Sequence, residues 1–293
     1  MKNLFTLCTL IVIVFYTACQ SYAADSLLTI GGHKIFAIDT GKGYPLICLH
    51  GGPGDNSANF LPQLLPLSAT SRLILYDQTN AGKSTSASPA QTSMANEVQI
   101  LHDIIKHLGL QKVNLLGHSW GSILAMQFAA THPTMVNKVV LTASIGTKAK
   151  YYTTFAQRLQ SKFTPADIAA MQTLQSQGVT NPQEYLKIYL KYYFHDTLNI
   201  KKMTPTTINF AVNQQLIADM MQSYDVTKNK QDIRCPILIL QGKSDLLTVS
   251  DMAEAFAGFS PVKIQEMSSS GHWAFVEEEE HFLKLVQQFL QTK

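Results

Sequence analysis

Short apolar runs alternate along most of this chain with longer segments that have helical periodicity. Strands are predicted at residues 27–30, 34–39, 46–49, 73–76, 113–116, 136–141, 237–240 and 262–266. Helical spacing of apolar positions covers residues 97–108, 122–132 and 277–293. This alternation is typical of an α/β fold in which helices flank a mostly parallel central sheet.

Two parts of the pattern depart from simple alternation. The strands at 27–30 and 34–39 flank Gly31-Gly32, which predicts an N-terminal hairpin. Between residues 145 and 231 the strand pattern stops, and the chain becomes rich in Gln, Tyr, Thr and Met, with helical patches at 185–193 and 208–221. We therefore predict a sheet domain formed by residues 24–144 and 232–293, with a helical cap inserted at residues 145–231, called the cap segment below.

The first 23 residues have the pattern of an export signal. A short basic start precedes an almost wholly apolar stretch at 4–16, and SYA at 21–23 forms a cleavage site before Ala24. The apolar run, about 13 residues long, is shorter than the ~20 residues of a membrane span. Cleavage before Cys19 with a lipid anchor on it is a second interpretation, because TAC at 17–19 resembles the end of a bacterial lipobox. The mature chain is expected to be exported, either periplasmic or secreted.

Composition narrows the classes of partner. The 293 residues carry a formal net charge of only +3, which favours neither a nucleic acid nor an acidic membrane surface. After the predicted signal, only Cys48 and Cys235 remain, and both lie in or beside predicted central strands. We interpret them as small buried hydrophobic residues rather than as a disulfide bridge. A small molecule or a short peptide is the expected partner.

The most informative motif is GHSWG at residues 117–121, called the elbow below. It matches G-x-S-x-G, in which a tight turn between a strand and a helix exposes a nucleophilic serine at the top of a sheet. The motif lies between a predicted strand and a predicted helix, as this geometry requires. Ser119 is therefore the predicted nucleophile, and the start of the following helix favours negative charge beside it.

A serine hydroxyl needs a base within hydrogen-bond reach, and in this fold the acid precedes the histidine along the chain. Asp245 follows the predicted strand at 237–240, and His272 follows the strand at 262–266. We predict that His272 is the base and that Asp245 orients it. Asp251 is a weaker candidate for the acid, because it opens the next helix.

HGGPG at residues 50–54, called the glycine loop below, follows the predicted strand at 46–49. Glycines at this position allow a backbone N–H group to approach a substrate carbonyl. We predict an oxyanion hole formed by the N–H of Gly52 or Gly51 together with that of Trp120, the residue after the nucleophile.

Other patterns give no further site. GKS at residues 82–84 lacks the earlier glycine of a phosphate-binding loop, and the histidines lack the spacing of metal ligands. Neither a metal nor another cofactor is expected. The acidic run at 277–280 is interpreted as a solvated face at the start of the last helix. Tyr185, Tyr189, Tyr192 and Tyr193 have helical spacing, which predicts core packing of the cap segment or a place in the pocket wall.

The glycine loop and GHSWGS at 117–122 together resemble the prolyl aminopeptidase (proline iminopeptidase) family of α/β-hydrolase-fold enzymes. The likeness runs from about residue 27 to 141 and again from 237 to the end. Asp77-Gln78 followed by GKS is similar to that family's DQRG-x-G-x-S segment, although Thr79-Asn80 replaces its Arg-Gly pair. The resemblance implies an α/β-hydrolase fold with an inserted helical cap and removal of N-terminal residues, often proline, from peptides.

That resemblance also implies that cap carboxylates bind the free ammonium of the substrate. The acidic residues of the cap segment are Asp167, Glu184, Asp196, Asp219 and Asp225. We single out Glu184 and Asp219 as candidates for this substrate-binding role.

Our first hypothesis is acyl transfer to water by Ser119, His272 and Asp245, in an aminopeptidase of the proline iminopeptidase type. An esterase or lactonase acting on a small exported substrate is the alternative, since it would use the same three residues. A binding protein without activity is a third hypothesis, disfavoured because no catalytic part is absent. A dehalogenase or epoxide hydrolase would need an aspartate at position 119 and is excluded.

Overall fold

The computed structural model describes residues 24–84, 91–179, 182–205, 207–259 and 261–292. The predicted export signal and the candidate lipid anchor Cys19 lie outside these residues and stay predictions, which N-terminal sequencing of the mature protein can test. None of the helices in the described part of the chain has the length and apolar character needed to cross a membrane.

Eight strands form one sheet in the order β1-β2-β4-β3-β5-β6-β7-β8. The strands are β1 (Ala24–Ile30), β2 (His33–Thr40), β3 (Tyr44–Leu49), β4 (Ser71–Tyr76), β5 (Val113–His118), β6 (Val136–Thr142), β7 (Ile237–Gly242) and β8 (Val262–Met267). β1 and β2 form the predicted antiparallel hairpin, β2 also pairs antiparallel with β4, and all other neighbours are parallel. The predicted α/β class with a mostly parallel sheet is confirmed.

Nine α-helices lie in the described part of the chain. They are α1 (Met94–His107), α2 (Trp120–Thr131), α3 (Ala149–Lys162), α4 (Pro165–Ser176), α5 (Pro182–Tyr189), α6 (Phe210–Ser223), α7 (Val249–Ala255), α8 (Ala274–Glu277) and α9 (Glu279–Gln291). The helix predicted for 277–293 corresponds to α9. Glu277 instead ends the short α8, because the backbone at Glu278, with φ −124° and ψ 47°, leaves the helical conformation.

Alternate residues of the central strands pack into two separate cores, one on each face of the sheet. Ile47 and Leu49 of β3 belong to a core that includes residues of α1, α2 and α7. Leu46 and Cys48 belong to a second core with Phe282 of α9. This division follows from the period of two along a strand and explains why the central strands are apolar throughout.

Cys48 and Cys235 both carry free thiols. Burial raises the pKa of the Cys48 thiol well above its usual range and that of Cys235 to about 11. The two thiols are therefore protonated at neutral pH and act as small packing groups, as the sequence predicts.

The chain between β6 and β7 is helical. It contains α3 to α6, with short 3₁₀ turns at Leu190–Tyr193 and Thr197–Lys202 before α6 and at Val226–Asn229 after it. Two of these helices coincide with the predicted helical patches, whereas α3 and α4 were not predicted. Proline at the first position of α4 and a capping box between Thr164 and Asp167 start that helix. The division into domains at residues 145 and 231 stays a prediction.

Candidate active site

The three predicted catalytic side chains lie at the carboxyl ends of three parallel strands. Ser119 follows β5, Asp245 follows β7 and His272 follows β8. β6 lies between β5 and β7, so loops from four neighbouring strands meet at one edge of the sheet. This is the edge at which ligands bind in open α/β sheets.

The elbow has the strained backbone that its sequence predicts. Ser119 adopts φ 53° and ψ −117°, a conformation that residues other than glycine rarely adopt. Backbone segments pack closely on both sides of this turn. A Cβ atom on Gly121 would lie 1.9 Å from the Leu49 carbonyl oxygen, and one on Gly117 would lie 2.3 Å from the Gly121 oxygen. Glycine is therefore required on both sides, and the turn leaves Ser119 half-buried at the start of α2.

Asp245 and His272 are joined by a hydrogen bond of 2.9 Å between Oδ1 and Nδ1. Asp245 is 7% exposed and His272 is 4% exposed, so water screens this pair little. The carboxylate also accepts hydrogen bonds from the Leu246 N–H (2.6 Å) and from the Gln241 side chain (2.9 Å). Because Nδ1 of His272 donates to a carboxylate, Nε2 is the nitrogen that can accept a proton.

Asp251, the weaker candidate for the acid, lies in a different network. Its carboxylate binds the Arg158 guanidinium through two contacts of 2.5 and 3.0 Å and caps α7 through Thr248. The structure therefore places Asp245 against His272, whereas Asp251 forms an ion pair that links α7 to α3.

Ser119 and His272 line one cavity of about 280 Å³. Gly52, Trp120 and Asp55 line its core side, and its opposite wall is largely apolar and aromatic, formed by the cap segment. Gly51 packs against the nucleophile, since a Cβ atom there would lie 3.3 Å from Cβ of Ser119. Trp120 opens α2, where its N–H has no acceptor within the helix. The predicted oxyanion-hole residues thus surround Ser119.

Gln78 connects the two halves of that predicted oxyanion hole, a role that the sequence did not indicate. Its amide donates to the His50 carbonyl (2.9 Å) in the glycine loop and accepts from the indole N–H of Trp120 (2.8 Å) in the elbow. His50 donates from Nδ1 to the Gly51 carbonyl and accepts the Gln78 N–H at Nε2, so its ring is neutral. Burial lowers the pKa of His50, which is consistent with that neutral ring.

His118 is the second histidine beside the elbow. Burial, followed by the charge of His272, lowers the pKa of His118 well below its usual value. Its Nε2 lies 3.0 Å from the His272 carbonyl oxygen, and since a carbonyl only accepts, this nitrogen carries the proton. His118 is thus a neutral residue that holds the backbone of the predicted base.

Glu184 and Asp219 do not line the cavity. Glu184 forms an ion pair with Lys187 one turn along α5, at 2.8 Å. Asp219 accepts the Met94 N–H at 2.7 Å and so joins α6 to the start of α1. The carboxylate that does line the cavity in the described part of the chain is Asp55, just after the glycine loop, and it was not predicted.

The cap segment is bound to the catalytic loops on two sides. Asn213 donates to the Pro53 carbonyl (2.9 Å), and the Asn209 N–H donates to the Gly54 carbonyl (2.8 Å), both in the glycine loop. On the other side, the Tyr193 carbonyl accepts the His272 N–H at 2.6 Å. The position of the predicted base therefore depends on the cap segment as well as on the sheet.

The interpretation of the acidic run as a solvated face is wrong for Glu277 and Glu278. Glu277 accepts backbone N–H groups from Gly271 (2.7 Å), His195 (3.0 Å) and Asp196 (2.9 Å). Glu278 accepts the Ser269 N–H at 2.7 Å. Since Gly271 precedes His272, Glu277 ties the histidine loop to the cap segment. These N–H donors lie outside the acidic run, so the sequence of the run does not indicate them.

Glu277→Gln is expected to lower kcat by about 10- to 100-fold with KM changed less than about twofold, because a small displacement of the base slows proton transfer. The glutamine retains one acceptor oxygen for three donors. Steady-state kinetics beside Glu280→Gln, an exposed position in the same run, would measure the effect. If kcat falls only together with a lower melting temperature, Glu277 stabilises the fold and does not position the base.

Comparison with known proteins identifies the family. The strained serine turn, the hydrogen-bonded Asp–His pair and the glycine loop around one cavity match the predicted site of a serine hydrolase. Residues 44–279 match the family model for the alpha/beta hydrolase fold, so the chain belongs to the α/β-hydrolase family. It is an enzyme of that family, and the resemblance to proline iminopeptidases is confirmed.

Individual relatives are similar over most of the chain. Proline iminopeptidase from Heyndrickxia coagulans is 26% identical over 273 residues, covering 87% of this chain and 93% of the relative. Among solved structures, proline iminopeptidase from Mycobacterium smegmatis superposes with a TM-score of 0.69 at 20% identity, covering 91% and 97% of the two chains. An esterase from Exiguobacterium antarcticum gives 0.70 at 21%, covering 92% and 100%. At such identity the solved structures share the fold and leave the substrate open.

Proposed function

We propose that this enzyme is a serine aminopeptidase of the proline iminopeptidase type, which releases N-terminal residues from short peptides. The observation that carries the chemistry is the buried hydrogen bond between Asp245 and His272 in a cavity that Ser119 also lines. The relatives support the peptide substrate, and the small, mostly apolar cavity suits a compact N-terminal residue such as proline.

In the proposed mechanism, Ser119 attacks the carbonyl carbon of the first peptide bond while Nε2 of His272 takes the hydroxyl proton. Asp245 holds Nδ1 of the ring and stabilises the imidazolium that forms. The N–H groups of Trp120 and of Gly52 or Gly51 bind the oxygen that becomes negative. His272 returns the proton to the leaving amine. Water then attacks the acyl-enzyme carbonyl while His272 takes a proton from it, and that proton goes to the Ser119 oxygen as the acid product leaves.

Esterase or lactonase action is the second candidate, favoured by one observation. The cap carboxylates Glu184 and Asp219 are engaged outside the cavity, so neither is placed to bind a substrate ammonium. An ester with an apolar acyl group would need no such partner.

The decisive experiment compares a prolyl arylamide that has a free amine, its N-blocked counterpart and a short-chain aryl ester. We expect the purified mature protein to cleave the free-amine arylamide and to refuse the blocked form. The blocked form lacks the charge and the N–H donors that an aminopeptidase must recognise. Turnover of the ester alone would overturn the aminopeptidase proposal and support the second candidate.

A further inference from the structure

Three tyrosines belong to the cavity wall that the cap segment provides. Tyr152 on α3, Tyr189 at the end of α5 and Tyr193 in the following 3₁₀ turn all line the cavity. Within the part of the chain that the structure describes, none of their hydroxyls has a hydrogen-bond partner in the protein. We call these three residues the tyrosine cluster.

Other tyrosines of the same region are satisfied within the protein. Tyr185 donates to the Val179 carbonyl at 3.1 Å, and Tyr192 donates to the Asp167 carboxylate at 2.5 Å. Tyr224 donates to the Gly146 carbonyl at 2.8 Å. The tyrosine cluster is only half-buried, so its unpaired hydroxyls remain available to a ligand group that enters the cavity.

The members of the tyrosine cluster are close to one another. The Phe155 ring stacks on Tyr152 at 6.1 Å and on Tyr193 at 5.9 Å between centroids, and Tyr189 meets Tyr193 edge-on at 6.2 Å. Burial, followed by the neighbouring phenol of Tyr189, raises the pKa of Tyr152 to about 12. Burial also raises the pKa of Tyr193 above its usual value, again with its two tyrosine neighbours contributing. At neutral pH the hydroxyls are therefore uncharged and lie within electrostatic reach of one another.

One member of the tyrosine cluster, Tyr193, lies beside the predicted base. The Tyr193 ring centroid is 5.2 Å from that of His272, and the Phe155 centroid is 5.4 Å from it. In an N-terminal residue, one Cα atom separates the amino nitrogen from the carbonyl carbon, a distance of about 2.5 Å. When Ser119 attacks that carbonyl, the amino group therefore lies close to Ser119, inside the cavity that the tyrosine cluster also lines.

We propose that the tyrosine cluster binds the free amino group of the substrate's N-terminal residue, an inference that rests on the proposed aminopeptidase function. An ammonium only donates hydrogen bonds, and phenol oxygens can accept them. The tyrosine rings would add a cation–π attraction. Recognition of the amine would thus come from neutral aromatic residues of the cap segment, in place of the cap carboxylates that the sequence suggested.

The test removes hydroxyls and keeps the rings. Tyr152→Phe/Tyr189→Phe is expected to lower kcat/KM for the free-amine prolyl arylamide roughly 10- to 100-fold, since hydrogen bonds to a charged group are lost. Turnover of an aryl acetate, which has no amine, should change by less than about threefold. Tyr185→Phe, one turn earlier on α5 and outside the cavity, is the matched control and should retain both activities.

A binding measurement separates this inference from the proposed function. L-prolinamide should inhibit aryl acetate turnover by the wild-type enzyme, its N-acetyl form should not, and the double variant should lose that inhibition. Equal loss of arylamide and acetate turnover, or full retention of both, would overturn the role of the tyrosine cluster. A wild-type enzyme that binds L-prolinamide through the cluster without cleaving the arylamide would refute the peptidase and leave the amine subsite standing.

Discussion

Ser119→Ala is expected to lower turnover of every substrate by about 10⁴-fold or more, because the acyl-enzyme cannot form without the hydroxyl. The remaining groups, including the predicted oxyanion hole, would still bind substrate, so the affinity for a product or an inhibitor should change little. Steady-state rates on the aryl ester and the arylamide measure the loss. A fluorophosphonate probe should add its mass to the wild-type protein at Ser119 and leave the variant unlabelled.

Ser161→Ala is the matched control, because Ser161 is an exposed serine of α3 whose hydroxyl binds only a backbone carbonyl of its own helix. It should retain full activity and labelling. If Ser119→Ala keeps more than a few per cent of wild-type turnover while its melting temperature is unchanged, Ser119 is not the nucleophile, and the acyl-transfer mechanism is wrong.

The sheet could be predicted from sequence because its strands carry the strongest local pattern. The runs at 46–49, 113–116 and 237–240 are buried almost throughout, which corresponds to burial on both faces between two helical layers. Gly31-Gly32 marked the hairpin because both residues adopt positive φ. The order of the strands in the sheet does not follow from such local patterns.

The cap segment was harder to predict, since its helices bury few side chains. In α3 only Tyr151 and Phe155 are buried, so the apolar stripe that would have identified the helix is short. The start of α4 did carry readable evidence, with Thr164 as the cap, Pro165 at the first position and Asp167 closing the capping box. These residues predict the start of a helix from the sequence alone.

At the candidate site, the sequence predicts the residues proposed to carry the chemistry, but it does not predict the residues that hold them in place. Ser119, Asp245 and His272 could be predicted because each follows a strand in the expected chain order. Gln78 and Glu277 contact residues that come from other parts of the sequence, so no local spacing identifies them. The same holds for Glu97 of α1, which accepts from Thr79 and whose pKa burial raises to about 7.

Substituting the two candidate acids separately tests which of them orients His272. Asp245→Asn is expected to lower kcat by roughly 10³- to 10⁴-fold. An asparagine amide facing Nδ1 of His272 would favour the wrong tautomer, with the proton on Nε2, so the ring could no longer take the serine proton. The variant should fold, because an asparagine in that orientation keeps an oxygen, in the place of Oδ2, that accepts a hydrogen bond from the Gln241 side chain.

Asp251→Asn is expected to lower stability rather than activity, because this carboxylate binds Arg158 and caps α7 and does not face His272. We expect a change in kcat of less than about threefold and a melting temperature lowered by a few degrees, since a hydrogen-bonded ion pair and half of a capping box are weakened. Measuring kcat and thermal unfolding for both variants separates the roles. A larger loss of kcat in Asp251→Asn than in Asp245→Asn would assign the orienting acid to Asp251. In that case the 2.9 Å contact between Asp245 and His272 would be structural.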